Sequence, residues 1–83
     1  MIKLLECDYK IGGVIHLTFS NGTKGEFDLN AYLKAHEGPL LEKLKDEAFA
    51  DRCFIDAGAL CWPHGLELSA KRLFELVHHK QAA

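Results

Sequence analysis

The residues best able to do chemistry in this chain lie within Ala59 to Ser69, ALCWPHGLELS, where Cys61 and His64 stand in C-x-x-H spacing and Asp56 lies five residues before the cysteine. Two chemistries use these residue types. A structural zinc ion takes four nitrogen or sulfur ligands, and C-x-x-H supplies only half of them. A thiol nucleophile takes a histidine base within about 3 Å, an acid to orient that base, and donors for the developing oxyanion. Neither set is complete. No second ligand pair stands at comparable spacing, and His78 and His79 fall near the end of an expected helix, where the helix dipole favours an imidazole without a metal. A strand cysteine and a turn histidine three residues apart need not point the same way. The same residues also spell a corner, because Trp62-Pro63-His64-Gly65 puts proline second and glycine fourth, the preferences of a type I turn. As a corner residue, Trp62 is either part of the core or an aromatic anchor for a partner. Trp62, Pro63, His64 and Gly65 are thus the candidate partner-binding residues. Cys61 with His64 is the candidate catalytic or metal-ligating pair of the alternative.

Other reactive side chains are dispersed. Asp8, Glu26, Asp28, Asp46 and Glu47 are carboxylates of the kind that work as acid and base when their surroundings separate their pKa values. None is embedded in an apolar run, so solvated faces and helix caps are expected. Gly12-Gly13 lacks the further glycines and the lysine of a phosphate loop. His16 and His36 carry no partner signal, and Lys71 and Arg72 are expected to be exposed in the first turn of a helix.

The elements that must hold these residues are legible from turn residues and periodicity. Val14 to Phe19 alternates, with Ile15, Leu17 and Phe19 on one face, as a half-buried strand does. Ser20-Asn21-Gly22 then reverses the chain. A two-residue Asn-Gly loop would oppose Leu17 to Glu26 and Ile15 to Asp28; a three-residue loop with a bulged Gly22 pairs Leu17 with Gly25 and Ile15 with Phe27, making one face apolar. The longer loop is predicted. Ile2 to Tyr9 is expected to be a neighbouring antiparallel strand joined through Ile11-Gly12-Gly13, its buried face left open by the adjacent Leu4 and Leu5. Asp28 or Asn30 caps a short helix through Ala35. Pro39 suits the first turn of a second, with Leu40, Leu41 and Leu44 on one face and Phe49 as a further anchor. Cys53 to Trp62 reads as a second hairpin about Ala57-Gly58, pairing Ile55 with Leu60. Leu66 and Leu68 continue as a short extended piece, and Ser69 caps a last helix whose stripe, Ala70, Leu73, Phe74 and Val77, closes over the sheet. The expected fold is a single α+β domain over residues 1–83, a small antiparallel sheet of two β-hairpins with short middle helices and a C-terminal helix.

Composition limits what such a domain does. The chain has 83 residues, enough for one modest core. Its 10 Lys and Arg against 12 Asp and Glu give a formal charge of −2 without a basic stripe, so direct nucleic-acid binding is not expected. The start, MIKLLECDY, meets Glu6 and Asp8 before any apolar run forms, so neither a secretory leader nor a membrane span is expected there and the cytoplasm is the expected location. Cys7, Cys53 and Cys61 are odd in number and lack a C-x-x-C pair, which suits part-buried thiols better than a disulfide framework. No cofactor is expected.

The order Val14-Ile15-His16-Leu17-Thr18-Phe19-Ser20-Asn21-Gly22, Phe27-Asp28-Leu29, Leu44-Lys45-Asp46 with Phe49, Leu60-Cys61-Trp62-Pro63-His64-Gly65 with Glu67-Leu68, and Leu73-Phe74 resembles the small bacterial proteins grouped as domain of unknown function 2442. Two positions depart from that pattern: His64 stands where Asn or Asp is usual, and Ala70 where a proline is frequent. The resemblance implies an α+β domain without an established activity, in some members joined to a helix-turn-helix segment and often encoded beside small partners in toxin–antitoxin-like arrangements. It therefore implies a non-catalytic, antitoxin-like interaction or regulatory domain, whose partner is a toxin-like neighbour or a second copy, met through an edge strand or the Trp62 corner. Any DNA-reading module would come from another protein. The alternative is a small enzyme or metal-binding protein using Cys61 and His64.

Overall fold

The alternating run Val14–Phe19 is strand β2 of a computed structural model that describes residues 1–82, with side chains through Val77. Strands β1 (Leu4–Lys10) and β3 (Lys24–Asp28) pair antiparallel on either side of it, in the order β1-β2-β3. Leu17 lies opposite Gly25 and Ile15 opposite Phe27, the register of the three-residue loop. The Gly22 N–H donates to the Phe19 carbonyl at 2.9 Å and the Phe19 N–H to the Thr23 carbonyl at 2.8 Å, with Gly22 at φ +89°. Ile15, Leu17 and Phe19 are buried together on the face this register makes apolar.

The open question of Leu4 and Leu5 is resolved by a bulge. Leu4 pairs with Phe19 but Glu6 with Thr18, so Leu5 is an extra residue in β1. Leu4 thereby turns inward and is buried, Leu5 turns outward and is 60% exposed, and Cys7 and Tyr9 fall opposite Leu17 and Ile15 on the inner side. Alternation alone cannot bury a strand on both sides of such a step.

Helix α1 (Leu29–Ala35) is capped by Asp28, whose carboxylate accepts the Ala31 N–H at 3.1 Å. The middle is more broken than expected. Helix α2 (Pro39–Glu42) passes into a 3-10 turn at Lys43–Lys45, and α3 (Glu47–Ala50) restarts under a cap from Asp46 to Ala48 N. Leu44 and Phe49 are buried, but Leu40 is 45% exposed and does not share their face. Pieces of one turn each cannot sustain a common stripe.

The fold is α+β as expected, with its second hairpin in a sheet of its own. Strands β4 (Phe54–Asp56), β5 (Ala59–Cys61) and β6 (Glu67–Leu68) make a second three-stranded antiparallel sheet, with Ile55 opposite Leu60 as predicted and Leu60 opposite Leu68. The extended piece after the corner is thus a paired strand, too short at two residues for its periodicity to be read. The sheets meet along β1, where the Leu4 N–H donates to the Gly58 carbonyl at 2.9 Å. Helix α4 (Ala70–Ala82) starts at Ser69, whose hydroxyl accepts the Arg72 N–H, and its Ala70, Leu73 and Val77 are buried, with Phe74 edge-on to Phe19 at 5.4 Å. Residues of both sheets and of α1, α3 and α4 join one hydrophobic cluster. Among the described residues, no helix is long and apolar enough to cross a membrane.

Candidate functional site

The Trp62-Pro63-His64-Gly65 corner is the second copy of a local device. Gly65 N–H donates to the Trp62 carbonyl at 3.1 Å and Trp62 N–H to the Leu66 carbonyl at 2.9 Å, repeating the Phe19–Thr23 loop with an aromatic at the first position and a positive-φ glycine at the fourth. The loop joins β5 to β6. It points Trp62 inward at 1% exposure, where the indole Nε1–H donates to the Ala50 carbonyl at 2.8 Å and ties the hairpin to α3. Pro63 and Gly65 remain on the surface.

His64 sits in the turn as expected. It is half-buried, its ring meeting Phe49 edge to face at 4.8 Å and its Nε2 lying 2.7 Å from the Leu40 carbonyl. That bond assigns the neutral ring's proton to Nε2. The carbonyl comes from a helix of four residues, whose carbonyls mostly lie beyond the reach of an intrahelical N–H and so need outside donors. The buried Nδ1 has no hydrogen-bond partner. Cys61 is buried in β5 with its thiol 3.7 Å from the Ala59 carbonyl, and burial pushes that thiol's pKa up. Asp56 is exposed at the end of β4. Cys61 and His64 are therefore each held by separate surroundings, and Asp56 lies on the surface. Among the described residues, no group of three or more His, Cys, Asp and Glu is placed to hold a metal ion; the side chains of His78 and His79 lie outside the described residues.

Two sites were not visible in the sequence. In the first, a single oxygen of Glu47 accepts both the Gly12 N–H at 2.8 Å and the Tyr9 hydroxyl at 2.9 Å, stapling the β1–β2 turn to the start of α3. The Gly12 amide, and then the phenol, hold the Glu47 carboxyl below its usual range. Desolvation, reinforced by Glu47, pushes Tyr9 up to about 12, so at neutral pH the phenol is a donor and no base. Tyr9 and Glu47 border a cleft of about 650 Å³ that also contains Cys7, Asp8, Asp51 and Cys53. Cys7 and Cys53 lie close enough in this cleft lining that the Cys53 thiol draws Cys7 down to about 7, while Cys7 and burial raise Cys53. All three cysteines are free thiols.

The second is a groove of about 340 Å³ along β3, between α1 and α4, lined by Phe27, Ala31, Tyr32, Ala35 and Leu76 among others. Its end is fixed by a chain of contacts. Arg72 Nη2 lies 3.3 Å from His36 Nε2, His36 Nδ1 lies 3.0 Å from the Tyr32 carbonyl, and the imidazole stacks on the Tyr32 ring at 4.1 Å. His36, which carries no partner signal in the sequence, and Arg72, expected there only as an exposed residue, thus join α1 to α4. His16 likewise meets Glu26 across the strands at 3.4 Å.

A family model described as protein of unknown function (DUF2442) matches residues 6–79. No curated protein and no solved structure matches the chain.

Proposed function

The chain belongs to the DUF2442 family, and from that premise we propose that it is a non-catalytic interaction domain, antitoxin-like or regulatory, that binds a protein partner. The observation that carries this is the groove beside β3. Among the described residues that strand pairs with β2 alone, and the apolar groove between α1 and α4 runs along it. An extended segment adding to such an edge gains backbone hydrogen bonds from the strand and specificity from side chains set into the groove. Glu26 and Asp28 line the same edge, and the whole chain carries a charge of −2, so the fitting occupant is an extended apolar segment flanked by basic residues on another protein. The Trp62 corner is the weaker docking surface, because its aromatic ring is spent on the core and on the Ala50 carbonyl.

The test is affinity capture from the native host at endogenous level, run in parallel with Ala31→Arg and Ala35→Arg, both exposed helix positions on the groove wall. A stoichiometric protein companion that is retained by the parent chain and lost by the folded arginine variants is the expected result. A companion indifferent to both variants moves the interface elsewhere and refutes the groove. Absence of any companion, with the chain monomeric in light scattering, refutes the interaction role. A dimer broken by the arginines would make the occupant a second copy.

A further inference from the structure

We propose that Cys7 and Cys53 form a redox-active dithiol, a modification site at which a hydroperoxide converts the two thiols into a reversible intramolecular disulfide. The fold brings together cysteines 46 positions apart: Cys7 lies on the inner side of β1 opposite Leu17, and Cys53 immediately precedes β4, which packs beside β1. Their side chains share the lining of one cleft, and each thiol shifts the titration of the other. Both are only partly buried, and both line the open cleft that Tyr9, Asp8, Glu47 and Asp51 border. Cys61 is the internal contrast, buried with its thiol directed at the Ala59 carbonyl.

The pair divides the roles that such a reaction needs. Thiolate is the form that attacks a peroxide, and the Cys53 thiol favours thiolate at Cys7 against the opposing effects of burial and Asp8. In the first step the Cys7 thiolate attacks one peroxide oxygen. A sulfur–oxygen bond forms, the oxygen–oxygen bond breaks, and the departing alkoxide takes a proton to become the alcohol. Cys53 then loses its proton to solvent and attacks the Cys7 sulfur. The disulfide forms, and the sulfenic oxygen leaves as hydroxide, which is protonated to water. Two electrons pass from the sulfur pair to the peroxide, and a dithiol reductant reverses the change by exchange. The new bond would fasten β1 to the entry of β4, across the boundary between the two sheets.

The experiment exposes the reduced full chain to hydrogen peroxide under native conditions, then alkylates the remaining thiols in denaturant and maps the peptides by mass. The expected product has lost two hydrogens, carries a Cys7–Cys53 linked peptide, leaves Cys61 as the alkylated residue, and is restored by dithiothreitol. Before oxidation, native alkylation of Cys7 should outpace that of Cys61 about tenfold or more. In Cys53→Ser the reaction should stop at a Cys7 sulfenic acid that dimedone traps, whereas Cys61→Ser should oxidise as the parent does. Three free thiols after peroxide, a disulfide that uses Cys61 or links two chains, or native alkylation of Cys7 no faster than that of Cys61 would each overturn the proposal.

Discussion

Replacing Trp62 by phenylalanine measures what the corner contributes to the fold. The indole is 1% exposed, and its N–H is given to the carbonyl of Ala50, a residue itself 1% exposed. Phenylalanine fills most of the same space but cannot donate, so a buried carbonyl loses its partner at a cost of about 1–3 kcal/mol. The smaller ring also lacks two carbons of the indole, a further loss of roughly 1–2 kcal/mol at about 0.8 kcal/mol per buried carbon. Together these come to about 2–5 kcal/mol. A chain of 83 residues has a total stability of roughly 4–12 kcal/mol at the usual 0.05–0.15 kcal/mol per residue. Trp62→Phe should therefore lower the urea midpoint with an unchanged slope and reduce the thermal midpoint by about 8 °C or more. Far-ultraviolet circular dichroism is the suitable probe, because the substitution removes the chain's one tryptophan. The control is Pro63→Ala on the exposed side of the same turn, expected to cost less than about 1 kcal/mol. A Trp62→Phe protein within about 1 kcal/mol of the parent, or no weaker than Pro63→Ala, would show that the corner is not held from inside.

The β4–β5 turn predicts opposite effects at adjacent positions. Ala57 sits at φ +52°, so Ala57→Asn should stabilise by roughly 0.5–1 kcal/mol, whereas Gly58→Ala, at φ +78° with its new Cβ 2.8 Å from Lys3 Cβ, should cost roughly 2–5 kcal/mol; chemical denaturation reads both. For Glu47, the folded carboxyl titrates below its ordinary value near 4.5, so its contribution is present above that value and fades as pH falls through the folded pKa. Glu47→Gln should consequently be less stable than the parent at neutral pH, with the gap closing in acid, and its Gly12 amide should exchange hydrogen faster; a gap that widens in acid would reverse the assigned sign.

What could be read in advance was set by short-range rules. Alternation over Val14–Phe19 made one loop length and one register the only way to an apolar face, and Asp28, Ser69 and the Trp62-Pro63-His64-Gly65 turn act on backbone groups within a few residues of themselves. The helix stripe of α4 followed from the same periodicity. The bulge at Leu5 was not accessible in this way, since either leucine satisfies alternation until β1 is packed against both β2 and the second sheet.

The site divides along the same line. Sequence by itself settled that the cysteine–histidine stretch is a turn, because proline, glycine and their spacing constrain the backbone whatever surrounds them. Only the tertiary structure decided what its side chains touch, since Trp62 finds Ala50 across 12 positions, His64 finds Leu40 across 24, and Glu47 finds Gly12 and Tyr9 across 35 and 38. The sharing of one cleft by Cys7 and Cys53 and the groove along β3 have the same origin. Such partners are chosen by the packing of a common core, which depends on all the elements at once, and no local spacing encodes them.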